Sequence, residues 1–199
     1  ISWTLELLLE RGGLAQDQQK KLEDAYKSNR SLVNLVADLL VLSKIGKISI
    51  KEEEMDLVSE IESIIGRMRA AYPAVSFYFE KESFPLLLRT NKSLAMQVFF
   101  NLITNAAEYS DNKAGTVSIA LRGESDGYLF SVENNGLTIL PEDQPKIFSG
   151  FFRAANAVER KERGTGLGLF IVKMIGDHFG WRISFQSPGT GGDGAIFYV

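Results

Sequence analysis

Residues 164–175 read Gly164-Thr165-Gly166-Leu167-Gly168-Leu169-Phe170-Ile171-Val172-Lys173-Met174-Ile175. Three glycines at alternate positions let a ligand approach the backbone amides closely. The apolar run after them predicts a helix start. A helix N-terminus presents unpaired N–H groups and a positive dipole, which suit phosphate. The glycine spacing matches neither the dinucleotide fingerprint nor the P-loop. Taken alone, the stretch reads equally well as a glycine-rich turn.

Upstream, residues 91–110 read N-K-S-L-A-M-Q-V-F-F-N-L-I-T-N-A-A-E-Y-S. Leu94, Val98, Leu102 and Ala106 recur at helical spacing and predict a buried stripe. Asn101 and Asn105, four apart, share another face, which Glu108 and Tyr109 extend by a turn. So polar a face amid apolar neighbours predicts a cleft, where an amide needs partners. Between the two segments, residues 131–139 (S-V-E-N-N-G-L-T-I) close a predicted strand over 128–132. Residues 147–154 (I-F-S-G-F-F-R-A) follow. Residues 155–163 are charged and without periodicity, and they predict a mobile loop.

In this order the segments resemble the four boxes of the GHKL ATPases, in the version of bacterial sensor histidine kinases. N-L-I-T-N-A-A-E-Y-S looks like an N box, E-N-N-G-L-T-I a G1 box, I-F-S-G-F-F-R-A an F box and G-T-G-L-G-L-F-I-V-K a G2 box. The tail, residues 180–189 and 194–199, resembles the family's two closing strands. The resemblance implies ATP as cofactor with Mg2+, and phosphoryl transfer to a histidine. It implies that Asn105 holds Mg2+ through its side-chain oxygen and that Asn101 supports the phosphates or the metal's water. Tyr109 would line the nucleotide pocket, and Gly136 would let the backbone pass under adenine. The amides of Gly164, Thr165, Gly166, Leu167 and Gly168 would hold phosphates, with Arg153 adding a cation. Residues 155–163 would form a lid.

Asn134 stands where the family has an adenine-binding aspartate. It keeps an acceptor oxygen but loses the charge, so weaker binding is expected, and Asn134→Asp is expected to tighten it. Thr138 replaces a glycine, Gly150 stands where the F box often has a basic residue, and Glu108 occupies an often basic position where it would repel a triphosphate. The alternative to a kinase core is therefore a degenerate, kinase-like dimeric scaffold or signalling adaptor with weak or no nucleotide binding. A clamp of the gyrase or Hsp90 type fits poorly, because its N-box glutamate is here Asn101.

At the front, residues 16–44 form one long helical pattern. Leu22, Ala25, Tyr26, Asn29, Leu32, Val33, Val36, Leu39 and Leu40 lie on alternating three- and four-residue steps, the seam of a helical bundle. This resembles the dimerisation and histidine-phosphotransfer (DHp) hairpin of the same kinases, and a coiled-coil linker would show the same periodicity. The resemblance implies a homodimer through residues 1–44 and a response regulator receiver domain as partner. The family's phosphoacceptor motif is absent. The only histidine, His178, lies at a predicted helix C-terminus and reads as structural. The acceptor is expected upstream of Ile1, so no catalytic residue is assigned within these residues.

The expected fold is α+β: a helical hairpin over 1–46, half of a dimeric four-helix bundle, then a two-layer α/β sandwich over 47–199. The sandwich is read as a strand at 48–50, a helix over 55–71 stopped by Tyr72-Pro73, and strands at 75–79, 86–89, 117–121 and 128–132. A net charge of −3 without a basic stripe argues against nucleic acid. The chain has no cysteine, which excludes disulfides and fits a reducing compartment. No run is long and apolar enough to span a membrane. A cytoplasmic location without membrane contact is expected, with anchoring of the full-length protein left open.

Overall fold

The computed structural model describes residues 2–11, 15–45, 51–82, 85–161 and 164–199. The expected domain boundary near residue 46 and the expected strand at 48–50 lie outside them.

Helices α1 (Ser2–Arg11) and α2 (Gln16–Lys44) pack on each other. Twenty-nine residues give α2 a length of about 43 Å. None of its residues is buried. Leu32, Val33, Val36, Leu39 and Leu40 are all exposed, as is Trp3 on α1. The C-terminal half of the predicted seam faces outward, while Leu22, Tyr26 and Asn29 in its first half are half-buried.

Strand β1 (Glu53–Asp56) comes next, pairing antiparallel with β3 (Leu87–Thr90). Its last residue, Asp56, caps α3 (Leu57–Ala71) by accepting from the Val58 N–H at 3.1 Å. The helix expected from residue 55 thus starts two residues later, because Met55 belongs to a strand. Tyr72 ends α3, as the following proline requires.

The main sheet has the order β2-β4-β5-β7-β6. Its members are β2 (Val75–Lys81), β4 (Gly115–Glu124), β5 (Gly127–Asn134), β6 (Ser184–Gln186) and β7 (Ala195–Tyr198). Only β2 and β4 run parallel, so the sheet is mixed. The expected strand at 86–89 exists, but it pairs with β1 outside the main sheet. Val117, Ile119 and Leu121 on β4, and Phe130, Val132 and Asn134 on β5, are buried at alternate positions. That face is covered by α3, α4 (Lys92–Tyr109) and α6 (Gly168–Phe179). The stripe of Leu94, Val98, Leu102 and Ala106 is buried as the spacing requires. His178 lies in the last turn of α6, before Gly180 at φ 71°, and its ring meets the edge of Phe179.

A short helix α5 (Ala155–Arg160) occupies most of the stretch expected to be an irregular loop. Six residues are too few to show a helical period, which explains why the sequence conceals it.

Candidate functional site

The site is built where the C-terminal half of α4 meets the end of β5 and the start of α6. Asn91 caps α4 by accepting from the Leu94 N–H at 3.0 Å and so fixes the phase of the helix. With the apolar stripe inward, Asn101, Asn105, Glu108 and Tyr109 are left half-buried along one edge.

Each of the other segments is fastened to this edge. Asn101 Nδ2 donates to the Gly168 carbonyl at 3.2 Å, and Asn101 Oδ1 accepts from Gln97. The Tyr109 carbonyl accepts from the Leu137 N–H at 2.9 Å and from Asn134 Nδ2 at 3.2 Å. Ser110 forms a β-bridge with Gly136. Gly136 has φ 123°, and a Cβ there would lie 2.6 Å from the Asp111 nitrogen. Only glycine lets β5 leave the sheet this close to the end of α4.

Asn134 is 4% exposed because it continues the inward face of β5. Its Nδ2 also donates to the Asn135 carbonyl at 3.3 Å. Both amide hydrogens are therefore committed to backbone, and Oδ1 takes no hydrogen bond from the described residues. A carboxylate could not make these two bonds. It would face two carbonyl oxygens instead, which argues against the expectation that Asn134→Asp tightens adenine binding.

The glycines of residues 164–168 differ in their reasons. Gly166 has φ 68°, and its missing Cβ would lie 2.7 Å from the Phe151 carbonyl carbon. Its carbonyl accepts from the Phe151 N–H at 3.0 Å. At Gly168 the nearest atom to an added Cβ is Asn101 Cγ at 3.9 Å, and at Gly164 it is the Arg153 guanidinium at 3.4 Å. Thr165 Oγ1 accepts from the Leu167 N–H at 3.2 Å and donates to Asp38 on α2 at 3.0 Å. Burial raises the Asp38 carboxyl above the ordinary aspartate range, and the bond from Thr165 partly offsets this. Leu167 is a core side chain, so only its backbone borders the site.

The profile of histidine kinase-, DNA gyrase B-, and HSP90-like ATPases matches residues 90–199. The chain belongs to this ATPase family. Across 99% of its length it is 30% identical to the sensor protein KdpD of Clostridium acetobutylicum. It is 31% identical to the histidine kinase ArlS of Staphylococcus haemolyticus over 85% of its length. These alignments span 22% and 38% of the two relatives, so the chain corresponds to a minor part of each. The catalytic domain of histidine kinase ThkA superposes with a TM-score of 0.64 at 28% identity, covering 74% of this chain and 93% of that domain. The fold is thus that of the kinase ATP-binding region.

Within this ATPase domain residues 153–161 are pinned rather than loose. Arg153 donates to the carbonyls of Ala157 and Lys161, so the expected phosphate cation is engaged with α5. Asn156 Nδ2 donates to the Thr138 carbonyl at 3.0 Å, while Asn156 Oδ1 is buried with no partner among the described residues. Arg160 donates to the Ser110 carbonyl, and Lys161 forms an ion pair with Glu108. Glu108 also accepts from the Tyr72 hydroxyl at 3.2 Å. Burial, then the Glu108 charge, holds the Tyr72 phenol well above its ordinary range and keeps it a donor. The carboxylate expected to repel phosphate is therefore charge-paired.

The sequence singled out neither Asp38, Arg160 and Lys161, nor Asn156. Their partners lie 127, 50, 53 and 18 residues away, and no spacing rule reaches that far. Among the described residues no group of three or more His, Cys, Asp or Glu could hold a metal ion. Asn105 has no side-chain hydrogen bond among the described residues, which leaves its Oδ1 as a hard oxygen donor in the middle of the α4 edge. That donor set fits Mg2+, which usually keeps its waters and relies on ligand phosphates.

Proposed function

We propose that residues 47–199 bind ATP with Mg2+ for a sensor histidine kinase, and that residues 1–46 are its dimerisation hairpin. The observation that carries the nucleotide reading is the convergence of four separate segments on one edge of α4. Asn101 meets the glycine loop there, and Tyr109 meets Asn134. In this reading Asn134 Oδ1 accepts from the adenine amino group, Gly136 and Tyr109 border the base, and the amides around residues 164–168 face the phosphates. Arg153 secures the segment that covers them. Asn105 holds Mg2+ through Oδ1, and the ion neutralises phosphate charge when bound. The family relationship supports ATP as the nucleotide. The relatives, named as sensor kinases and histidine kinases, support transfer of the terminal phosphoryl group to a histidine and then to a receiver domain. The acceptor would belong to a segment preceding Ile1, with His178 structural. Of the departures behind the scaffold alternative, the altered G1 box with Asn134 and Thr138 stays, while the Glu108 charge is neutralised by Lys161.

Calorimetric titration of the chain with ATP, with and without Mg2+, tests this reading. Binding at micromolar to sub-millimolar ATP is expected, strengthened by Mg2+. Asn105→Ala should retain nucleotide binding and lose the strengthening. Absence of binding in both conditions refutes the reading.

A further inference from the structure

Thr165 carries the only polar side chain in residues 164–168, and its hydroxyl is engaged on both sides. Oγ1 accepts from the Leu167 N–H at 3.2 Å and donates to Asp38 at 3.0 Å. The Leu167 side chain is locked in the core at 1% exposure, so its N–H stays aimed at the threonine. Gly168 and Leu169 open α6 with N–H groups that have no partner within the helix, while the adjoining Leu167 N–H is taken. Asp38 is half-buried on α2. Burial disfavours its charge, and the Thr165 hydroxyl favours it. A hydroxyl that donates to a carboxylate is in turn a stronger acceptor, so Asp38 tightens the hold of Thr165 on the Leu167 amide. A cleft of about 490 Å³ between α2 and the loop, lined by Leu32, Leu35, Phe151 and Gly164, leaves the threonine room to swing away.

From this we propose, resting on the nucleotide reading above, that Asp38 is a positioning residue that sets the phosphate affinity of the glycine loop from the long helix. It holds the Thr165 hydroxyl on the Leu167 amide and so withholds that amide from a phosphate oxygen. A nucleotide that takes the amide turns the hydroxyl away and opens its bond to Asp38. Phosphate binding and attachment of the loop to α2 therefore oppose each other, and the opposition is reciprocal.

A double-mutant cycle on the full chain tests this, reading Mg2+-ATP affinity by calorimetry, with circular dichroism to check folding. Asp38→Ala should tighten ATP about three- to tenfold, the size of one hydrogen bond. Asp38→Asn keeps an acceptor oxygen for the hydroxyl and should stay within about twofold of the parent. Thr165→Val removes the hydroxyl and keeps the shape, and it should tighten ATP as Asp38→Ala does. The two changes together should bind no more tightly than either alone, because both break one chain of bonds. The proposal is overturned if Asp38→Ala leaves ATP affinity unchanged or lowers it, or if the two changes multiply. It is equally overturned if Asp38→Asn tightens ATP as much as Asp38→Ala, because the carboxylate would then act by its charge. Should Thr165→Val fail to fold, the contrast between the two Asp38 variants decides alone. Failure of the parent and every variant to bind ATP refutes the nucleotide reading itself, a result distinct from equal binding by all of them.

Discussion

Asn134 shows how one side chain serves two purposes at once. Its amide hydrogens tie β5 to the end of α4, and only its oxygen is left for a ligand. Asn134→Asp replaces two donated bonds by two contacts between oxygens, in a buried place. A stability loss of about 1–3 kcal/mol is expected, with no gain in ATP affinity, as read by denaturant unfolding and calorimetry. A variant as stable as the parent that binds ATP more tightly would contradict this account. The glycine loop allows a second comparison at this scale. Gly168→Ala adds a methyl group in ordinary contact distance of Asn101, so the chain should stay folded, with any loss confined to nucleotide binding. Gly166→Ala forces a left-handed backbone and a clash with Phe151, and it should unfold at clearly lower denaturant. Equal stability of the two variants would show that the loop is not held as described.

At the level of elements, the sequence exposed what is periodic and hid what is not. The burial of Leu94, Val98, Leu102 and Ala106 followed from spacing alone, and so did the polar edge with Asn101 and Asn105. Strand β1 escaped because four residues, Glu-Glu-Met-Asp, carry too little β signal, and Met55 also fits the helical stripe of α3. Helix α5 escaped because it is held by single long-range bonds rather than by an apolar face. The contact between α2 and the glycine loop is of the same kind. Thr165 and Asp38 form one hydrogen bond between the long helix and the proposed phosphate-binding loop. Asp38→Ala should leave global stability within about 1 kcal/mol, yet raise amide exchange over residues 164–169. Exchange unchanged there would mean that the helix does not restrain the loop.

The whole molecule has a well-filled core under the sheet and almost none under α2. Leu32, Val36 and Leu40 are 61%, 56% and 57% exposed, on a helix with no buried residue. Water contact along such a seam is unfavourable, and a second copy of the hairpin would remove it. Sedimentation at micromolar concentration should give a dimer. The triple change Leu32→Glu, Val36→Glu and Leu40→Glu should give a folded monomer that still binds ATP. A dimer unaffected by these changes would place the interface elsewhere.

Dimerisation leaves open where the nucleotide binds, and that is read directly from the amide spectrum of the labelled chain during titration with Mg2+-ATP. On this account the shifted amides fall at residues 101–109, 134–137 and 164–168. The hairpin at residues 122–128 is quiet, because it lies at the opposite end of β5. Shifts centred on that hairpin and Trp181, with residues 101–109 and 164–168 unmoved, would contradict it.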